Sequence, residues 1–146
     1  MTTAAATSQG VQLKRGTSGA APYNLIGEIF SFDGPEETVG EIDVTSFDST
    51  FREVIAAIPD AGTVSFEMNF VASNAQQVGL RTDLRAGTVQ SFQLELNDMP
   101  SGGTINTVIT FNAIVKSLSI TGSVDSQVTA SCELKISGQP TWVYAA

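Results

Sequence analysis

Apolar and polar residues alternate along GTVSFEMNFV, residues 62–71. Val64, Phe66, Met68 and Phe70 fall on one side, with Thr63, Ser65, Glu67 and Asn69 on the other. A period of two sends successive side chains to opposite faces of a strand, so this stretch predicts a strand with a core on one face and water on the other. The same alternation recurs in VQSFQLELND, with Phe92, Leu94 and Leu96 inward, and in SQVTASCELKISG, with Val128, Ala130, Cys132, Leu134 and Ile136 inward. In the latter, Gln127, Thr129, Ser131, Glu133 and Lys135 point the other way. TINTVITFNAIVKSLSITG is too long for one uniform strand: Ile109, Phe111 and Ala113 share a phase that Leu118 and Ile120 reverse. A bulge near residues 114–117 reconciles the two halves.

Where the period changes, so does the predicted element. SNAQQVGLRTDLRAG predicts the one helix, with Ser73 as N-cap, Gln76 completing a capping box, Leu80 and Leu84 stacked four apart, and Gly87 as the stop. Gly79 inside it costs about 1 kcal/mol relative to Ala unless a close contact requires it. YNLIGEIFSF, residues 23–32, predicts a strand ended by the Asp33-Gly34-Pro35 turn, and GEIDVTSF predicts a second strand. Residues 46–61 are ambiguous. Phe51, Val54, Ile55 and Ile58 are spaced as on one helical face, yet the segment sits between strands, so it is either a short helix or a protruding loop whose apolar groups meet another subunit. Residues 1–22 show no periodicity and are expected to be a flexible arm, residues 23–138 the folded domain and residues 139–146 a C-terminal tail. The fold class that follows is mainly β: a β-sandwich or open barrel of about six strands with one packed α-helix.

Composition narrows the chemistry. Fifteen acidic residues against seven basic ones give −8, the wrong sign for a protein that holds nucleic acid through its phosphates. Histidine is absent, which removes the commonest general base and zinc ligand. The single cysteine, Cys132, lies on an apolar strand face and reads as a core residue. No phosphate-cradling glycine motif occurs. Glu36 with Glu37 and Glu41 with Asp43 are carboxylate pairs without an accompanying donor or ligand set, and a hydrophilic face explains them better than a calcium or glycosidase site. The expectation is no enzyme, no cofactor and no metal. The first residues carry no signal-peptide pattern and no apolar run approaches a membrane-spanning length of about 20 residues, so synthesis in the cytoplasm and no membrane partner are expected.

Taken in order, YNLIGEIFSFDGP, EIDVTSFDSTFREVIAAIPDAGTVSFEMNF, the capped helix and SLSITGSVDSQVTASCELKISG resemble the tail tube (major tail) proteins of phages with long non-contractile tails. The likeness runs from about Tyr23 to Gly138 and lies in the order of segments, not in any single motif. It implies rings of six subunits stacked into a hollow tube, whose inner sheets merge into one barrel that conducts double-stranded DNA without tight or sequence-specific binding. The extra immunoglobulin-like domain that some relatives carry is not expected here. It also implies a tape-measure protein and tail-tip and terminator proteins as partners, and residence in the virion tail. On that reading Glu41, Asp43, Glu67, Asn69, Ser131 and Glu133 line the bore, where carboxylates repel phosphates. Lys14, Arg15, Phe47, Phe51, Arg52 and Ile55 then join successive rings. The alternatives are a stand-alone ring of the secretion-machine type, which shares the fold, and a small adhesive β-sandwich.

Overall fold

The computed structural model describes residues 7, 9–17 and 20–146. Its elements run β1 (Gln12–Thr17), β2 (Ala20–Leu25), β3 (Ile29–Asp33), β4 (Glu41–Asp43), β5 (Val54–Ala56), β6 (Thr63–Asn69), α1 (Ala75–Ala86), β7 (Gln90–Glu95), β8 (Val108–Ser123) and β9 (Ser126–Val143). Seven strands form one antiparallel sheet in the order β2-β1-β7-β8-β9-β6-β3, and β4 pairs with β5 apart from it. The result is mainly β, with one helix among the described residues. Among the described residues it is an open sandwich: β2 and β3 remain as borders, and no strand pairing between them closes a barrel. Leu13 and Leu94 from one end of the sheet meet Val64, Phe66, Cys132 and Leu134 from the other in a single core, which Leu80 of α1 also enters.

The alternating segments fold as their period dictates. Val64, Phe66 and Met68 are buried, as are Ala130, Cys132, Leu134 and Ile136, whereas Phe70 and Val128 sit past the end of the core and are exposed. The expected bulge in β8 is present: the register against β9 shifts between Val115 and Ser117, after which Leu118 packs on the core. Burial pushes the Cys132 thiol up to about 12, in keeping with a core residue.

Several expectations fail for identifiable reasons. Of the arm expected over residues 1–22, residues 1–6, 8, 18 and 19 lie outside the described residues, while residues 12–17 and 20–22 are strand instead: β1 pairs with β7 and forms a hairpin with β2. Its charges are matched by residues far away in sequence, Lys14 Nζ to Glu95 Oε2 at 2.8 Å and Arg15 Nε to Asp83 Oδ2 at 2.7 Å, and a local pattern cannot reveal such partners. The single strand expected over 23–32 is two strands, broken where Glu28 adopts φ 67°. The tail expected from residue 139 is largely the end of β9.

The helix begins one residue later than its capping pattern implied. Asn74, not Ser73, is the N-cap, accepting from the Gln76 and Gln77 backbone N–H groups at 3.0 and 3.3 Å. Gln76 forms no capping box and instead accepts from Arg15 Nη1 at 3.2 Å. The buried Gln77 side chain donates to the Gly27 and Asn69 carbonyls and accepts from Val71 N–H, fastening the helix start to the β2–β3 turn and to β6. Gly87 ends the helix at φ 66°.

Gly79 has a reason to be glycine. A Cβ there would stand 2.7 Å from the Arg15 guanidinium carbon, and that guanidinium is held in a fork on both Asp83 oxygens. Gly79→Ala should therefore lower stability in the native background but raise it, by up to about 1 kcal/mol, once Arg15→Ala has removed the obstruction. Arg15→Ala alone strands a buried carboxylate and should cost about 3 kcal/mol. Urea unfolding of the four chains tests the cycle. Glu95 is held below the usual carboxylate range, first by its hydrogen bond from Lys14. A lowered folded value means that this stabilisation is complete above the unfolded value and is lost as pH falls through the folded one. Thermal melts should show stability declining below about pH 4.5, with a shallower decline in Glu95→Gln.

Candidate functional site

Opposite the core, β3, β6, β9 and β8 present one continuous polar face. Cross-strand pairing arranges it in rows. One row runs Ser31, Glu67, Ser131, Ser119, and the next runs Asp33, Ser65, Glu133, Ser117. Each of the first three strands contributes one carboxylate, and in every row a serine separates it from the next strand's charge. Like charges directly opposite one another destabilise a sheet, and this staggering avoids them. The rows line a shallow, solvent-open depression of about 350 Å³. Ser131 Oγ donates to Glu67 Oε1 at 3.5 Å, Gln127 Nε2 donates to Asn69 Oδ1 at 3.3 Å, and Lys116 Nζ approaches Glu133 at 3.5 Å.

Glu67, Asn69, Ser131 and Glu133, grouped from sequence, thus lie together. Glu41 and Asp43 do not join them. They sit on the separate β4–β5 ribbon, where Arg52 ion-pairs with Asp43 and Thr45 bonds to it; the Thr45 bonds are the chief cause of its lowered pKa. The face is accordingly less acidic than expected, with Lys116 and Lys135 set among its carboxylates. Ser31, Asp33, Ser117 and Ser119 belong to it but were not singled out from sequence. The β8 pair was implicit in the bulge, since residues that alternate with Leu118 and Ile120 must face away from the core.

Both borders of this face lack a strand neighbour. β3 pairs only with β6, and β7 covers β8 no further than Ala113, so residues 114–123 pair only with β9 among the described residues.

The ribbon is neither a helix nor an irregular loop. Glu41 pairs with Ala56, Ile42 with Ile55 and Asp43 with Val54, with a turn at residues 46–49. Of the two readings left open, the helix fails and the protruding segment with exposed apolar groups is nearer, although it is paired: every residue of β4 and β5 is exposed, Phe47 completely and Phe51 at 85%. Of the other residues expected at contacts between rings, Arg52 and Ile55 are on the ribbon, whereas Lys14 and Arg15 are engaged inside the subunit. No group of three or more His, Cys, Asp or Glu among the described residues is arranged to hold a metal, and no helix there is long and apolar enough to cross a membrane.

The fold has solved counterparts. The tail of an empty GTA particle with C6 symmetry superposes with a TM-score of 0.76 at 17% identity, covering 95% of this chain and 99% of that one. The baseplate of the anti-feeding prophage gives 0.74 at 12% identity, covering 99% and 98%. The SPP1 tail tube gives 0.72 at 12%, covering 94% and 78%. No curated protein matches the sequence. At these identities the structures establish the fold alone, but the sequence model of the lambda phage tail tube protein matches residues 8–143, from before β1 to the end of β9. With that match over the whole folded sheet, the chain belongs to the lambda phage tail tube protein family, structural proteins of the phage virion tail.

Proposed function

We propose that six copies of this chain form a ring whose channel is lined by the β3-β6-β9-β8 face, and that stacked rings conduct double-stranded DNA during genome ejection. The observation that carries this reading is a polar four-strand face with an unpaired edge on each side. Unpaired edges are a liability in a monomer, and a head-to-tail contact of β3 with the outer half of β8 from the next copy removes both at once. Six such faces give about 24 strands; at roughly 4.8 Å spacing and a tilt up to about 40°, the backbone diameter is about 37–48 Å. Side chains reduce this to a bore of roughly 27–38 Å, enough for a B-form duplex. The sixfold symmetry named for the GTA tail supports the copy number.

Serine and staggered carboxylates suit a conduit. They offer DNA few cations, so few counterions are released and the duplex does not adhere. Phe47, Phe51, Arg52 and Ile55 on the ribbon contact the adjoining ring. A tape-measure protein and tip and terminator proteins complete the tail, which assembles in the host cytoplasm.

Cryo-electron microscopy of polymerised protein tests the reading: sixfold tubes with Glu67 and Glu133 facing the bore are expected, and an outward orientation would overturn the lining. Replacing both by lysine should leave tubes that form but retain added duplex DNA at low salt and release it as salt is raised, measured by co-sedimentation. Phe51→Asp should abolish sedimenting tubes while leaving the monomer's unfolding curve unchanged.

A further inference from the structure

A second apolar surface lies at the base of the ribbon. Beyond β5, Ile58, Pro59 and Ala61 form one wall of a groove of about 860 Å³, and Ile136, Pro140 and Trp142 form the other. Its opening has a backbone cause. The register of β9 against β8 passes from Asn112 opposite Ser137 to Thr110 opposite Thr141, so residues 138–140 bulge against a single residue of β8. Gly138 starts the bulge at φ 85°, a value that favours glycine. Glu37 fixes the wall by accepting from Trp142 Nε1 at 3.3 Å, and Tyr144 stacks on the indole with ring centroids 6.0 Å apart. Across the base, Lys135 Nζ donates to Asp60 Oδ1 at 2.8 Å. The groove is therefore braced, yet it is open, and Ile58 on its wall is 91% exposed.

The ribbon tip carries what such a groove would take. Phe47 and Phe51 are apolar, exposed and presented at the end of paired strands. They do not fill the groove of their own chain. The Thr38–Asp60 bridge at the base and the Val44–Glu53 bond near the tip are separated by residues 38 to 44 of extended chain, roughly 20 Å. A tube is built from copies of its subunit, so the surface repeatedly offered to each groove is the tip of another copy. We infer that the groove between Ile58–Ala61 and Gly138–Trp142 receives the Phe47/Phe51 tip of a second copy of this chain. The contact is heterologous: each copy gives a tip at one place and a groove at another, and the series continues without limit. This rests on the tube reading above and adds to it the receiving surface.

Thr50→Cys, beside Phe51 at the exposed tip, and Gln139→Cys, made in separate full-length chains, test the contact and leave both tip phenylalanines in place. Gln139 lies on the groove wall, and the buried native thiol of Cys132 stays out of the chemistry. After polymerisation and oxidation with copper phenanthroline, a disulfide-linked dimer is expected from the mixture and none from either variant alone. A chain carrying both substitutions should give a ladder of covalent oligomers. Self-linking of the Thr50→Cys chain, which means tips meeting tips, overturns the inference. So do well-formed tubes with no mixed disulfide, which would leave the groove to another tail protein or a small ligand while the tube reading stands. Failure of the unmodified chain to form tubes, even with tail-tip proteins supplied, overturns the tube reading itself.

Discussion

A strand at the border of a sheet still carries N–H and C=O groups that need partners, and this chain leaves two such borders beside the same polar face. Among the described residues, β3 on one side has only β6; on the other, β8 outruns β7 and its outer half has only β9. The remaining features follow from how the chain reaches that condition. The β8–β9 hairpin is long because it must extend a sheet past the core that supports its first half. The bulge between Val115 and Ser117 turns the outer half so that its serines align with those of β6 and β9. Helix α1, fixed by Gln77 at one end and by the Asp83–Arg15 fork further along, holds the opposite side of the core in place.

Staggering of charge on the face is a second constraint with two consequences. Within one subunit it keeps Asp33, Glu67 and Glu133 from facing one another directly. Across a ring it would distribute the same carboxylates evenly around a bore. Acidic charge was expected to dominate that surface, but the chain's surplus lies partly elsewhere. Glu41, Asp43, Asp48 and Glu53 are on or beside the ribbon, Asp83 is buried against Arg15, and Asp60 is tied to Lys135. The face is better described as hydroxyl-rich with sparse negative charge. If the face lines a bore as proposed, a surface of that kind would discourage phosphate without building a strong repulsive barrier.

Legibility in the sequence followed burial. Where one strand face is packed, as in β6 and the middle of β9, alternation revealed the strand, its inward residues and its solvent face, including Glu67, Ser131 and Glu133. Where apolar residues are exposed, periodicity left the element open, because spacing alone does not say whether a stripe is buried; Phe51, Val54, Ile55 and Ile58 fitted a helix or a protruding loop and lie on or beside an exposed ribbon. Strand β1 was missed for the complementary reason. It buries Leu13, but its two charges are neutralised by Glu95 and Asp83, and no local pattern announces a partner that distant. Glu41 and Asp43 were grouped with the polar face because they alternate correctly, yet alternation specifies a face of a strand and not the sheet to which the strand belongs.

In the proposed assembly the two unpaired edges and the tip-and-groove pair would propagate differently, and such a tube would need both. Edge pairing between β3 and the outer half of β8 of the next copy would join unlike surfaces laterally; rotation about a common axis would let the series close, after which no edge would remain. The tip and groove would also join unlike surfaces, but displaced along the ribbon by roughly 20 Å of extended chain. A displacement of that kind, repeated, cannot close on itself and yields indefinite growth along one direction. Closure in the plane requires rigidity, which the continuous backbone ladder supplies. Growth along the axis tolerates flexure, which a two-stranded ribbon with aromatic ends supplies, since such ribbons gain most of their stability only when packed against something else. The division between a stiff ring and a compliant junction thus follows from which strands lie in the seven-stranded sheet and which stand apart from it.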